Sequence, residues 1–300
     1  MEANRRSFLK GCAAAAAMTA VPATALARER RTASADAVGL LYDATKCIGC
    51  KSCSVACKEA NGLSADGTEF GGGIYDAPTS LNERTKSVIQ LVRDEGQSAY
   101  VKKQCMHCVD PGCVTACMLG AMTKDKVTGV VSWNGDTCIG CRYCQQACPF
   151  NVAKFEWSKA LTPKIVKCEL CKDRLAKGQQ PACAEVCPTG ATKFGERADL
   201  IAEAQQRIHD NPGKYVNHIY GLEEVGGTSV LLLSSIDFNN FGYRDDLTQR
   251  ALPMYTFQVL QHIPQFIPVF GTLLGGIYWI THRREDVAEA EENEKKGGAQ

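Results

Sequence analysis

The sequence predicts an α+β fold of two tandem cysteine-rich modules with insertions, followed by a single C-terminal transmembrane helix. Three observations lead to this prediction. Sixteen of the 17 cysteines in the 300 residues fall into four groups of four. An apolar, alanine-rich N-terminal stretch follows two arginines, and residues 259–280 contain no Lys, Arg, Asp or Glu. A chain of this length buries its own hydrophobic core without covalent cross-links.

The spacing of the cysteines is typical of iron–sulfur ligands. The third group reads C-x2-C-x2-C-x3-C-P and ends at Cys148, which is the bacterial ferredoxin run that surrounds one [4Fe–4S] cluster and gives its last thiolate to another. The second group is such a run with two extra residues before Cys113, and the fourth has an insertion before Cys183. The sequence therefore predicts bacterial ferredoxin-like (2×[4Fe–4S]) modules with four [4Fe–4S] clusters in all. The groups are Cys47, Cys50, Cys53 and Cys57; Cys105, Cys108, Cys113 and Cys117; Cys138, Cys141, Cys144 and Cys148; and Cys168, Cys171, Cys183 and Cys187.

Structural zinc and disulfide bonds are the alternatives for these cysteines. Taken alone, the fourth group has the spacing of a zinc site. Three cysteines within seven residues, as in the first and third groups, exceed what one half of a zinc site needs. Disulfides are disfavoured because cysteines so close together on a short loop pair poorly. Cys12 lies in the N-terminal leader and belongs to no group.

Residues 1–27 have the features of a twin-arginine signal peptide. Arg5 and Arg6 precede Ser-Phe-Leu-Lys, an alanine-rich run follows, and Ala25-Leu26-Ala27 is a small-x-small cleavage signature. This route carries folded proteins, so clusters installed in the reducing cytoplasm would survive export to the periplasm. Cleavage removes three basic residues and one acidic residue, which changes the net charge from +1 to −1. A nearly neutral chain is not expected to bind nucleic acid.

The C-terminal region is predicted to anchor the chain in a lipid bilayer. Residues 259–280 have the length of one membrane span. Pro264 and Pro268 weaken its first half, so an interfacial turn that leads into a shorter span is one alternative, and a buried core helix is another. The basic His282-Arg283-Arg284 that follows places this end in the cytoplasm by the positive-inside rule, so the globular part faces the periplasm. The expected segments are a periplasmic cluster domain over 28–250, an anchor over 251–284 and a disordered polar tail over 285–300. His262 is expected near the periplasmic boundary, where it packs or binds a partner or quinone.

Other elements follow from local patterns. The tetrapeptide Cys-Ile-Gly-Cys opens both the first and the third groups, which indicates duplicated modules. Residues 87–92 and 129–133 are predicted to be short strands, and residues 198–209 have helical spacing. Residues 61–82 are rich in glycine and polar residues and predict a surface loop.

Few other residues carry chemistry. His107 lies between Cys105 and Cys108, where four cysteines already suffice, so we expect it to be at the surface or beside the cluster. Four basic residues near the cysteines could offset cluster charge or dock a partner, although a solvated side chain is the default expectation for each; they are Lys102, Lys103, Lys167 and Arg174. No Ser-His-Asp set, phosphate loop or dinucleotide motif is evident, which predicts a subunit without catalytic residues.

Several segments around the cysteines resemble one family. These segments are Lys103-Gln104-Cys105-Met106-His107-Cys108-Val109-Asp110-Pro111, Cys138-Ile139-Gly140-Cys141-Arg142-Tyr143-Cys144, Ala147-Cys148-Pro149-Phe150-Asn151-Val152 and Lys167-Cys168-Glu169-Leu170-Cys171. Across about residues 40–195 the chain is similar to the four-cluster ferredoxin subunits of membrane-linked oxidoreductases. Its own export signal and C-terminal anchor resemble most the electron-transfer subunit of hydrogenase-2-type [NiFe] hydrogenases.

The resemblance implies which cysteines share a cluster. Cluster 1 would use Cys47, Cys50, Cys53 and Cys187. Cluster 2 would use Cys57, Cys168, Cys171 and Cys183. Cluster 3 would use Cys105, Cys108, Cys113 and Cys148. Cluster 4 would use Cys117, Cys138, Cys141 and Cys144.

The resemblance also implies an electron relay. Electrons would pass from the small subunit of a periplasm-facing [NiFe] hydrogenase to a quinone-reactive integral membrane subunit, so that the complex acts as a hydrogen:quinone oxidoreductase. The alternatives are the β subunit of a formate dehydrogenase or other molybdoenzyme, and an iron–sulfur sensor or scaffold protein.

Overall fold

The computed structural model describes residues 31–64, 78–94, 96–159 and 162–297. The predicted signal peptide, Cys12, most of the predicted loop over 61–82 and the last three residues lie outside these ranges. The chain divides into two compact units, of which one is Arg30–Pro253 and the other contains Met254–Gln300.

Short strands and short helices alternate along the chain. The strands are β1 Val38–Asp43, β2 Ser87–Asp94, β3 Gln97–Gln104, β4 Met122–Lys124, β5 Val131–Trp133, β6 Lys154–Phe155, β7 Ile165–Val166, β8 Thr192–Glu196 and β9 Val230–Leu233. The helices are α1 Ser52–Ala60, α2 Gly112–Thr115, α3 Tyr143–Gln146, α4 Lys172–Leu175, α5 Ala182–Glu185, α6 Arg197–Asp210, α7 Leu252–Leu260 and α8 Ile263–Gly297. Two 3₁₀ turns cover Glu224–Gly226 and Phe238–Phe241.

A three-stranded sheet connects the two ends of the Arg30–Pro253 unit. Its order is β8-β1-β9, with β1 antiparallel to β8 and parallel to β9. Both faces of β1 are buried because its apolar residues alternate between two cores. Leu40 and Tyr42 pack in a core that includes Cys53 and Cys183, whereas Leu41 packs beneath α6 with Leu200. The strand therefore separates the cysteine region from the helix behind it.

The cysteines lie on loops and short helices that pack in two pairs. α1 packs against α5, and α2 packs against α3. Three antiparallel hairpins, β2-β3, β4-β5 and β6-β7, lie beside these helices. Because α1 and α5 belong to the first and last cysteine groups, the chain closes on itself around the cysteines.

The local predictions agree with the structure in most places. The helix predicted over 198–209 is confirmed as α6, and the strand predicted over 87–92 is confirmed within β2. The strand predicted over 129–133 forms only at Val131–Trp133, because Gly129 has a φ of +74° and lies in the preceding turn. The ferredoxin-like α+β architecture is likewise present.

The apolar C-terminal stretch is divided at Gln261 and His262, between α7 and α8. Within the described ranges, no helix has both the length and the apolar character required to cross a membrane. The transmembrane helix predicted over 259–280 is therefore not confirmed, and the break removes Val259 and Leu260 from α8. His262 is exposed, with Nε2 at 3.4 Å from Nε2 of Gln261.

The prediction of a disordered tail over 285–300 is wrong for its described part. α8 continues through the polar segment to Gly297. This segment is rich in alanine, glutamate and lysine, which are strong helix formers. An ion pair between Nζ of Lys296 and Oε1 of Glu292, at 2.7 Å and one turn apart, adds to its stability.

Candidate metal centres

Each cysteine group begins with the same backbone turn. The residue two positions after the first cysteine has a left-handed conformation in all four groups, with φ of +71° at Gly49, +48° at His107, +71° at Gly140 and +52° at Leu170. This turn directs the backbone N–H toward the preceding sulfur. Three of these N–H groups donate to sulfur, from Gly49 to Cys47 at 3.5 Å, from Gly140 to Cys138 at 3.4 Å and from Leu170 to Cys168 at 3.4 Å. In the remaining turn, that of the second group, burial raises the pKa of Cys105, and Lys167 and the His107 N–H partly offset this increase.

The first and last groups meet where α1 packs against α5. Burial raises the pKa of Cys57, and the nearby Cys183 and Cys171 contribute because negative sulfurs repel, so that the pKa is about 12. Burial also raises the pKa of Cys53. Lys102 opposes this increase, whereas the sulfurs of Cys183 and Cys47 add to it. The first group therefore faces the fourth in space, although the first cysteines of the two are 121 positions apart in the chain.

The second and third groups meet in the same way where α2 packs against α3. Burial raises the pKa of Cys108 well above its usual range, and Cys105 and Cys148 raise it further. Burial, with smaller contributions from Cys138 and Cys117, raises the pKa of Cys144 to about 11. Cys148 of the third group therefore lies near Cys108 of the second, and Cys117 of the second lies near Cys144 of the third. Two clusters that exchange the last cysteine of each group require this proximity.

The two halves are in contact with each other. Cys105 and Cys168 are both buried in one small apolar cluster with Val152. Cys113 and Cys117 pack around Cys144 in another. The cysteines thus form a continuous series from the first group, through Cys168 and Cys105, to the third group.

Two lysines near the cysteines are not solvated, contrary to the sequence prediction. Lys102 is only 1% exposed and Lys167 only 2%. Burial lowers the pKa of Lys102, but the sulfurs of Cys183 and Cys53 more than reverse this effect, so the pKa is raised. Lys103 is half-buried over the Tyr243 ring, and Arg174 pairs with Glu185 near the surface.

His107 is fully buried, which excludes the surface position considered from the sequence. Its Nδ1 accepts a hydrogen bond from the N–H of Val131 at 3.0 Å. Burial, with Lys167 and Lys124 nearby, lowers its pKa well below the usual value. The side chain is therefore neutral, and it fixes the second cysteine loop to β5.

Glu169 is a further residue that the sequence analysis did not single out. Its Oε1 accepts the N–H of Trp133 at 2.8 Å, and its Oε2 pairs with Nζ of Lys86 at 3.2 Å. Despite burial, these donors lower its pKa. Glu169 thus joins the fourth cysteine loop to β5 and to the start of β2. Its position between Cys168 and Cys171 was the available signal.

The arrangement of the sulfurs differs from that of a single-ion site. All sixteen cysteines in the described ranges are free thiols. In the same ranges, no three His, Cys, Asp or Glu side chains are close enough to share one metal ion. A tetrahedral zinc ion with Zn–S bonds of about 2.3 Å holds its four sulfurs within about 4 Å of one another. No grouping of that kind is found among the residues that the structure describes.

The cysteines fit a larger inorganic group. Cys117, Cys138, Cys141 and Cys144 line one cavity whose other walls are mainly apolar. The backbone N–H of Met122 points at Cys117 Sγ from 3.4 Å, in addition to the loop N–H groups described above. Four thiols around a cavity, with backbone donors aimed at the sulfurs, are the donor set of a [4Fe–4S] cluster.

Comparisons with known proteins support the same chemistry. Residues 97–197 match the family described as the 4Fe-4S dicluster domain. Residues 2–22 match the twin-arginine translocation pathway signal sequence, which indicates export to the periplasm. A protein of Nitratidesulfovibrio vulgaris is 39% identical over 97% of the chain and 80% of its own length.

Two named relatives are more informative. The hydrogenase-2 operon protein HybA of Escherichia coli O157:H7 is 37% identical over 83% of the chain and 86% of its own length. The iron–sulfur subunit of the nitrate-inducible formate dehydrogenase of Escherichia coli K12 is 38% identical over 65% of the chain and 67% of its own length. The chain belongs to the HybA family, within the iron–sulfur electron-transfer subunits of hydrogenase- and formate dehydrogenase-type oxidoreductases.

Proposed function

We propose that the chain binds four [4Fe–4S] clusters in the exchanged pattern that the family resemblance implies. The observation that carries this proposal is the contact between the first and fourth cysteine groups and between the second and third. The ligands would be Cys47, Cys50, Cys53 and Cys187 for cluster 1; Cys57, Cys168, Cys171 and Cys183 for cluster 2; Cys105, Cys108, Cys113 and Cys148 for cluster 3; and Cys117, Cys138, Cys141 and Cys144 for cluster 4.

The chemistry of these sites is one-electron transfer. A bound [4Fe–4S] cluster accepts and releases one electron without breaking a bond. The chain surrounds the sulfurs with apolar side chains, which exclude water, and directs backbone N–H groups at the sulfurs, which stabilises negative charge. No side chain needs to move or exchange a proton for this role.

The two ends of the cysteine series are accessible from solution. Cys50 in the first group and Cys141 in the third are exposed. Beside them Ile48 is 60% exposed and Ile139 is 68% exposed. Surface apolar residues next to an exposed ligand are suited to docking an electron-transfer partner. We assign these ends to the entry and exit of electrons.

The proposed partners are the small subunit of a periplasmic [NiFe] hydrogenase and a quinone-reactive integral membrane subunit. Similarity to HybA over most of both chains supports this choice. Affinity purification from solubilised membranes tests it. We expect nickel to copurify, together with hydrogen-dependent reduction of a quinone. Loss of quinone reduction on deletion of the chain, with hydrogen oxidation retained, would fit the relay.

A second candidate is the β subunit of a formate dehydrogenase. The 38% identity to such a subunit over 200 residues favours it. In that case, molybdenum and formate oxidation would copurify in place of nickel and hydrogen oxidation. Copurification of neither metal would favour a sensor or scaffold.

The C-terminal segment is proposed to attach the chain to the lipid bilayer, with residues after 282 on the cytoplasmic side. In α8, large apolar side chains are exposed, among them Phe266, Ile267, Phe270 and Leu274. Exposed apolar area of this extent is costly in water and is normally covered by a membrane or a partner.

A further inference from the structure

Lys102 and Lys167 lie where neighbouring cluster sites meet. We name them the junction lysines. Lys102 is buried, with its side chain within hydrogen-bond reach of Cys183 of the proposed cluster 2 and with Cys53 of cluster 1 and Cys168 of cluster 2 nearby. Lys167 is buried beside Cys168 of cluster 2, and Cys168 packs in one buried cluster with Cys105 of cluster 3.

The alternation of β3 turns Lys102 toward the cysteines. Its neighbour Lys103 points the other way, with Nζ 5.9 Å from the centre of the Tyr243 ring. Nζ of Lys102 donates to Oγ1 of Thr192 at 3.3 Å. Over the described residues, Lys102 forms no ion pair with a carboxylate, although it is almost completely buried.

Lys167 is held in a comparable way. Its Nζ donates to the carbonyl oxygens of Val131 at 2.5 Å and of Cys168 at 3.1 Å. These acceptors are neutral, and Lys167 likewise has no carboxylate partner in the part of the chain that the structure describes. The peptide carbonyls fix the position of the ammonium group but do not neutralise it.

A buried ammonium group without a counter-charge is unfavourable by several kcal/mol. The negative groups available to both junction lysines are the cysteine sulfurs, which are thiolates when they ligate iron. A positive charge in a site of low polarity interacts strongly with added negative charge nearby. An electron that enters an adjacent cluster would therefore be stabilised.

We propose that the junction lysines are fixed positive charges that raise the reduction potentials of the clusters on either side of them. The inference rests on the proposed four-cluster function and adds specific positioning residues to it. Lys102 acts on clusters 1 and 2, and Lys167 acts on clusters 2 and 3.

Redox titration of the purified exported chain, followed by electron paramagnetic resonance, tests the inference without any partner. Lys102→Met is compared with Lys103→Met, which removes the adjacent charge on the opposite face of β3. We expect Lys102→Met to move at least one reduction potential to a more negative value. Lys103→Met should leave all of the potentials unchanged. Lys167→Met should move a different subset.

The outcomes are distinguishable. Unchanged potentials in Lys102→Met and Lys167→Met, with full iron content, would overturn the inference and leave the four-cluster proposal intact. If Lys102→Met fails to retain iron, Lys102→Arg decides the matter: restored iron and potentials support a role for the charge. Loss of iron in both variants shows that shape is required, and it refutes the inference. A wild-type protein without clusters would instead refute the proposed function.

Discussion

At the scale of single residues, the cysteine loops depend on backbone conformation as much as on sulfur. Gly49 illustrates this dependence, because its φ is +71° and a Cβ built on it would lie 2.2 Å from the Tyr100 ring. A side chain at this position is therefore opposed by both the backbone and the packing. The N–H of the same residue donates to Cys47, so the turn also positions a donor at a proposed ligand.

Gly49→Ala is expected to lower stability and iron content. The left-handed backbone costs about 1–2 kcal/mol for a residue with a Cβ, and displacement of Tyr100 costs about 1–3 kcal/mol more. Gly178→Ala is the matched control, since Gly178 also has a φ of +71° but a Cβ added to it would meet no atom within 4 Å. Thermal unfolding and iron analysis are the measurements. Equal effects of the two substitutions would show that contact with Tyr100 is unimportant.

Cys187→Ala is expected to damage the cluster held by Cys47, Cys50 and Cys53. The reason is the exchanged ligation, in which the last cysteine of the fourth group completes the first group's cluster. Paramagnetic resonance of the reduced protein should show that one centre is altered or absent. Cys148→Ala should affect a different centre. An intact first cluster in Cys187→Ala would refute the exchanged assignment.

Sequence reasoning located the cysteines and named Lys102 and Lys167 as residues that could offset cluster charge, but it did not predict that both are buried. Sulfur ligands are visible as spacing, whereas Lys102 and Lys167 look like ordinary surface lysines in the sequence. Their burial depends on which face of β3 turns inward and on how the fourth cysteine loop packs against β5. Both are long-range contacts that no local pattern reports.

At the scale of secondary structure, the helix at 197–210 was predictable because one apolar stripe faces the sheet. Leu200 and Ala204 are its buried residues. The pairing of β1 with β8 and β9 was not predictable, since those strands follow β1 by about 150 residues or more. The extent of α8 was also missed, because its polar part was interpreted as disordered.

The attachment of α6 to β1 depends on a buried ion pair. Nη1 of Arg207 lies 2.9 Å from Oδ2 of Asp43, a fully buried carboxylate that also accepts from the hydroxyl of Tyr215 at 2.9 Å. Arg207→Met removes the charge that compensates Asp43. A buried carboxylate that loses its partner costs about 3 kcal/mol.

Arg207→Met should therefore lower the melting temperature by about 6–12 °C, at 2–4 °C per kcal/mol for a domain of this size. Lys193→Met is the control, because it breaks only the half-exposed pair with Glu203 and should cost less than about 1 kcal/mol. Calorimetry under anaerobic conditions checks both. A shift of less than about 2 °C for Arg207→Met would contradict the role given to this pair.

At the scale of the whole molecule, the export signal and the cysteines require one another. Clusters assembled in the cytoplasm must cross the membrane inside a folded chain, and the twin-arginine signal at residues 2–22 supplies that route. The sequence predicted this combination because each signal is a short local motif that can be recognised without the fold. The proposed attachment to the membrane is different, because the apolar stretch that predicted it is divided between α7 and α8.

A chain that ends at Pro253 should test the proposed attachment. This end point retains Ala251, which is buried in the Arg30–Pro253 unit. We expect the truncated protein to keep its iron and to move from the membrane fraction to the soluble periplasmic fraction. Fractionation with iron analysis measures both properties. Unchanged membrane association would mean that partner subunits, rather than the C-terminal segment, hold the chain there.

The central claim is that the sixteen grouped cysteines hold iron–sulfur clusters. Elemental analysis of anaerobically purified, full-length protein tests it most directly. Four [4Fe–4S] clusters correspond to about sixteen iron atoms and about sixteen acid-labile sulfides per chain, and the account predicts values close to these with little zinc. A protein that contains zinc or disulfides in place of iron and sulfide would contradict it.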